Sequence, residues 1–127
     1  MTQEEKQLLL KDLCARLPYG VKCRQRKLDS QVCTMRPEYL KNVEDVEKYE
    51  SYLRPMSSMT EEEFKMVCSM NALTDTELSD RIKFPNMFVK SYTIETFDLF
   101  NSHHFDYRGL IPMGLALEAK EEMYKTV

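Results

Sequence analysis

The chain has 127 residues, with 18 Lys and Arg against 21 Asp and Glu, for a formal net charge of −3. Leu, Ile, Val and Phe make up about 24% of it, above the roughly 20% below which chains tend to stay disordered. These counts exclude a collagen, a coiled-coil array, a disordered tail, a disulfide miniprotein and a two-domain cofactor enzyme. What remains is a small globular protein, read as one domain over residues 1–127 because domains usually run to roughly 100–200 residues.

The first element is legible at once. Thr2 followed by Glu5 is a capping box, in which each side chain satisfies the other's free backbone N–H. Leu9, Leu10, Leu13 and Leu17 recur at helical spacing, and Pro18 and Gly20 end the run. The same N-terminus argues against export. Acidic Glu4 and Glu5 precede only three consecutive leucines, whereas a secretory signal needs a basic start and about 7–15 apolar residues. The longest weakly polar stretch, Gly109 to Leu117, falls far short of the about 20 residues that span a bilayer. A cytoplasmic protein with no membrane partner is expected. Cys14, Cys23, Cys33 and Cys68 form no C-x-x-C and no finger spacing with a His, so no zinc site is expected and the thiols should be reduced and buried.

From Val21 the period changes to two. Val21 and Cys23 alternate with Lys22, Arg24 and Arg26, the pattern of a half-buried strand with a basic outer face. Leu28-Asp29-Ser30 reads as a turn, and Val32 to Met35 as a second strand that Pro37 ends. Val43 to Leu53 fits either a helix face or a strand. Residues 54–60 form a connector within the domain, where Pro and Ser cluster. Thr60 with Glu63, and Thr74 with Glu77, are two further capping boxes, each opening a helix. Phe88 to Ile94 reads as a third strand. Ile94, Phe97, Asn101 and His104 then follow at helical spacing, so a helix is expected to about His104. Leu115 to Ala119 should pack back on the core. The class is α+β: an N-terminal helix, a small antiparallel sheet and further helices in the C-terminal half.

Three groups of residues could carry function. His103, His104 and Asp106 bring both histidines of the chain beside a carboxylate, a combination able to form a base with its orienter or to bind a metal. Adjacent histidines, however, diverge by about 100° on a helix or 180° on a strand, and the i, i+4 pairing of a helical zinc site is absent. A structural role is therefore expected, with His103 and Asp106 capping the helix end and Phe105, Tyr107, Arg108 and Gly109 forming a packed turn. The second group, Lys22, Arg24 and Arg26, lies on one strand face and could meet phosphates; its bland reading is a solvated face that protects a sheet edge. The third, Tyr49, Tyr52, Met56 and Met59, suits either a partner surface or a gap-filled core. With only Gly20, Gly109 and Gly114 in the chain, no Gly-rich phosphate loop exists and no cofactor is expected.

Three blocks, residues 8–23, 52–63 and 100–119, read LLLKDLCARLPYGVKC, YLRPMSSMTEEE and FNSHHFDYRGLIPMGLALEA. They resemble the small uncharacterised proteins encoded by prophages and mobile elements of gut Bacteroidales. In that family a tryptophan usually stands shortly before the Asn that precedes HHFDYRG, where this chain has Asp98-Leu99-Phe100 and no Trp at all. The resemblance implies a bacterial cytoplasmic protein of mobile-element origin and no particular reaction. The leading expectation is a non-enzymatic accessory protein that binds a macromolecular partner, most simply a protein. Two rivals stand beside it: a nucleic-acid-binding module using Lys22, Arg24 and Arg26, and a small metal-assisted hydrolase or nuclease built on His103, His104 and Asp106.

Overall fold

The computed structural model describes residues 1–26, 31–84, 87–88, 91–120 and 122–124. Helix α1 (Gln3–Arg16) begins at the expected box: Thr2 Oγ1 accepts from the Glu5 N–H at 3.1 Å, and Glu5 Oε1 accepts from the Thr2 N–H at 2.8 Å. A 3₁₀ turn over Leu17–Tyr19 follows, and Gly20, at φ 69°, turns the chain away. That left-handed conformation is easy only for glycine.

Strands β1 (Lys22–Gln25), β2 (Cys33–Thr34), β3 (Tyr49–Leu53) and β4 (Ala116–Glu118) form one sheet in the order β2-β1-β3-β4. The first two pairings are antiparallel, but β3 and β4 run parallel, so the sheet is mixed rather than antiparallel throughout. The physical reason is connectivity. Parallel neighbours need a long crossover, and the whole helical half supplies it. The ambiguous segment resolves into both readings in turn, a 3₁₀ stretch over Val43–Lys48 and then β3. The turn expected at Leu28-Asp29-Ser30 lies outside the described residues.

The helical half contains α2 (Glu61–Asn71), α3 (Asp75–Lys83) and α4 (Ile94–Ser102), the first two opened by the expected boxes at Thr60 and Thr74. The strand expected over Phe88–Ile94 does not form in its described part. Ser91 and Tyr92 bend, Thr93 caps α4, and Ile94 is the helix's first residue and 78% exposed. The buried face of α4 is Thr96, Leu99, Phe100 and Asn101, rotated away from Ile94. No helix among the described residues is long and apolar enough to cross a membrane.

Two hydrophobic clusters result. Leu9 and Leu13 of α1 pack with Val21, Cys23, Val46, Leu53 and Leu115 against one face of the sheet. Met56, Val67, Leu78, Phe100 and Phe105 anchor the other among the helices. Tyr49 and Met56 belong to these interiors, which removes them from any partner surface. Cys14 is exposed, against the expectation of four buried thiols.

Candidate functional site

The segment after α4 is tied into the sheet by its backbone. Beyond the end of β3, the Arg54 N–H donates to His104 O at 2.7 Å and the Asp106 N–H donates to Arg54 O at 2.8 Å. One step earlier along the same strand, the Tyr124 hydroxyl stands between β1 and β3. It accepts from the Lys22 N–H at 2.7 Å and donates to Tyr52 O at 2.6 Å. The Tyr124 ring stacks on His104 at 3.8 Å, and burial pushes its phenol upward in pKa.

These strands and the start of α2 border a groove of about 650 Å³ whose lining includes Arg54, Glu63, His103, Glu118, Lys120 and Tyr124. At its base Arg54 grips Glu63 from two guanidinium nitrogens, each at 2.9 Å. Glu63 Oε1 also accepts from the Thr60 N–H at 2.8 Å, completing the capping box. His103, also in the lining, meets Glu63 Oε2 through its Nδ1 at 2.6 Å. Burial alone would raise the Glu63 pKa, but Arg54, the Thr60 amide and His103 together bring it down to about 2. Glu63 is therefore an anion at neutral pH, and His103 is oriented by it while its side chain stays 39% exposed.

The other members of the HHFDYRG run face elsewhere. His104, at φ 63°, is buried, and its Nδ1 has no partner among the described residues. Burial, with the charge of Arg16 next in weight, lowers its pKa to about 4 and keeps the ring neutral. The Asp106 carboxylate accepts from the Leu110 and Ile111 N–H groups at 2.7 and 2.9 Å, and burial raises its pKa. His103, His104 and Asp106 therefore do not converge, and no group of three or more metal-ligating side chains occurs among the described residues. The capping reading needs correction too. His103 does end α4 through its backbone, but its side chain serves Glu63, and Asp106 organises the following turn instead of the helix end.

Phe105 and Tyr107 are buried, as expected. Behind them lies a buried ionic cluster that sequence reasoning missed. Asp12 receives Arg16 Nε at 2.9 Å and Arg108 Nε at 3.0 Å. Arg16 Nη2 also donates to Phe105 O at 2.6 Å, and Arg108 Nη2 to the Tyr107 hydroxyl at 3.1 Å. The Tyr107 hydroxyl donates in turn to Asn101 Oδ1 at 2.9 Å. A signal was available: Asp12 and Arg16 stand at i, i+4, on the leucine face of α1 where no charge belongs. The blocks 8–23, 52–63 and 100–119 meet here, through Arg16, Arg54 and Phe105.

The basic stripe has local partners. Arg24 lies opposite Glu50 in the β1–β3 register. Arg24 and Arg26 reach the two Glu50 oxygens at 3.3 and 3.5 Å. Lys22 Nζ donates to Met123 O and sits over the Tyr124 ring. No family model, curated protein or solved structure matches the chain.

Proposed function

We propose that the protein is a non-enzymatic accessory factor of phage or mobile-element origin, working in the bacterial cytoplasm, that binds a protein partner through the groove beside His103. One observation carries this reading. The polar groups lining the groove are committed inward: Glu63 to Arg54 and His103, Ser58 Oγ to Pro55 O, Thr60 Oγ1 to the Glu63 N–H, and the Tyr124 hydroxyl to Tyr52 O. Left facing outward are the exposed side chains of Glu62, Glu118 and Lys120 and the outer edge of His103. A rim of mixed charge around a preformed concavity suits a polypeptide carrying both signs. The origin and compartment rest on the resemblance of the three blocks and on the N-terminal composition.

The test places a photo-reactive amino acid at position 120 and, as control, at position 94, the far end of α4 from His103. Crosslinking in host extract should give one protein adduct from position 120, weakened by Lys120→Glu in competing unlabelled protein. Equal labelling from both positions would refute the groove.

A second reading has one specific observation in its favour. The Glu63–His103 contact at 2.6 Å is the base-and-orienter geometry by which an imidazole activates water. On this reading the protein is a small hydrolase with His103 as general base. It requires a turnover that His103→Gln abolishes without loss of fold.

A further inference from the structure

Cys23 and Cys33 are directly opposite each other in the antiparallel β1–β2 pairing. Their sulfurs are 3.4 Å apart, and the Cys33 thiol also reaches Cys23 O at 3.5 Å. Both cysteines are free. From these positions we propose that Cys23 and Cys33 form an oxidation site, a dithiol that a hydroperoxide converts reversibly into an intramolecular disulfide.

The two sulfurs are unequal, and that sets the order of events. Cys23 is fully buried, whereas Cys33 is partly exposed and stands on β2, the edge strand of the sheet. Burial, with the Cys33 sulfur beside it, pushes the Cys23 thiol well up in pKa. Cys33 is therefore the sulfur that meets the oxidant. Its thiolate attacks one oxygen of the hydroperoxide and the O–O bond breaks, giving Cys33 sulfenic acid. The leaving alkoxide (or hydroxide, from hydrogen peroxide) takes the proton the Cys33 thiol gave up and departs as an alcohol or water. The Cys23 sulfur then attacks the Cys33 sulfur. The S–OH bond breaks, and the departing hydroxide takes the Cys23 proton and leaves as water. Two electrons pass from the pair of thiols to the peroxide oxygen.

The sheet geometry makes this bond reversible. Residues opposite each other on neighbouring strands hold their Cβ atoms about 4.5–5.5 Å apart, and a relaxed disulfide wants about 3.8 Å. Closing the bond draws β2 toward β1. β2 has only two residues and no strand beyond it among the described residues, so it can follow, but the bond stays under tension and is easily reduced. Neither remaining thiol stands opposite this pair in the sheet: Cys14 is on α1 and Cys68 on α2.

The test uses the full chain, hydrogen peroxide in modest excess, and alkylation of the remaining thiols under denaturing, non-reducing conditions. The untreated protein should count four thiols and the treated protein two. Peptide mapping should show Cys23 linked to Cys33, and a dithiol reductant should restore the count to four. Cys33→Ser should lose the two-thiol change. Since Cys23 is a core residue, Cys23→Ala serves only to trap Cys33 sulfenic acid, and the wild-type map decides the matter. Four thiols surviving treatment that oxidises a small free thiol would overturn the proposal. So would a link through Cys14 or Cys68, or Cys33 oxidised beyond the sulfenic state with Cys23 still free.

Discussion

Arg54 holds Glu63 through both carboxylate oxygens, across the connector that joins the sheet to α2. The pair ties the end of β3 to the helical cluster, since Arg54 also covers the Phe105 ring at 4.2 Å and Glu63 also starts α2. Glu63→Gln keeps the shape and removes the charge. It should destabilise the fold by about 2 kcal/mol, the range for a hydrogen bond to a charged group. Glu63 has a folded pKa of about 2, below its ordinary 4.5. Its contribution is thus complete above pH 4.5 and fades as pH falls toward 2. Denaturant titrations of both proteins between pH 5 and 2 should show the wild-type slope flattened in the variant.

His104 governs a different window. Its folded pKa of about 4 lies below the ordinary 6.5. Between those values the unfolded chain takes up a proton that the folded chain refuses, so stability declines as pH falls from 6.5 to 4. His104→Asn removes the titration and tolerates the left-handed backbone at φ 63° better than most residues. Stability measured from pH 7 to 4 should fall less in the variant, and an unchanged slope would contradict the burial of a neutral ring.

Asp12 and Arg16 test the buried cluster. Both side chains are 0% exposed. Asp12→Leu strands Arg16 and should cost about 3–5 kcal/mol, as breaking a buried pair does. Replacing both, as Asp12→Leu with Arg16→Met, should cost less than the single change. The fully buried Arg16 charge is then gone, and only Arg108, 13% exposed and still bonded to the Tyr107 hydroxyl, loses its carboxylate. Equilibrium unfolding of the single and double variants gives the coupling directly.

Phe105 and His103 are adjacent in one site and should behave oppositely. Phe105 is 0% exposed, so Phe105→Ala should cost about 3–5 kcal/mol. His103→Gln keeps a donor for Glu63 at a part-exposed position and should cost far less, with thermal melts separating the two.

The basic stripe calls for a revised expectation. As a solvated face, Lys22, Arg24 and Arg26 would each change stability within about ±0.5 kcal/mol on substitution. Glu50, however, is 11% exposed and held by Arg24 and Arg26, so the triple change to Gln should lose more than that, about 1–3 kcal/mol. Adding Glu50→Gln should restore part of it. Retention of the wild type on DNA or RNA that drops steeply with salt, and vanishes in the triple variant, would move the nucleic-acid reading ahead of the protein partner.

Local chemistry made the helices readable. Each of the boxes at Thr2, Thr60 and Thr74 is decided within four residues, so distant packing has little say in it. Thr93 lacks the acidic fourth member and pairs with Thr96 instead, which left the approach to α4 looking like a strand. β4 has three residues and a parallel neighbour, too short to express a period. The site was half legible. His103 stands out by its residue type, but its partner Glu63 already has a local role in the capping box, and a second duty across the fold leaves no trace in local spacing. The same holds for Glu50, whose meeting with Arg24 depends on strand register.

The parallel pairing of β3 with β4 bears on how the chain folds. All three C-terminal helices lie between these two strands in the chain, so the pairing is among the most distant contacts in the molecule. Contacts of that kind form late, because loop closure must precede them. Until Ala116 arrives, β3 presents one bare row of amide and carbonyl groups, an invitation to pair with another chain. A fragment ending at the connector, or a nascent chain paused in the helices, therefore carries an unguarded edge that the finished protein closes with its last strand.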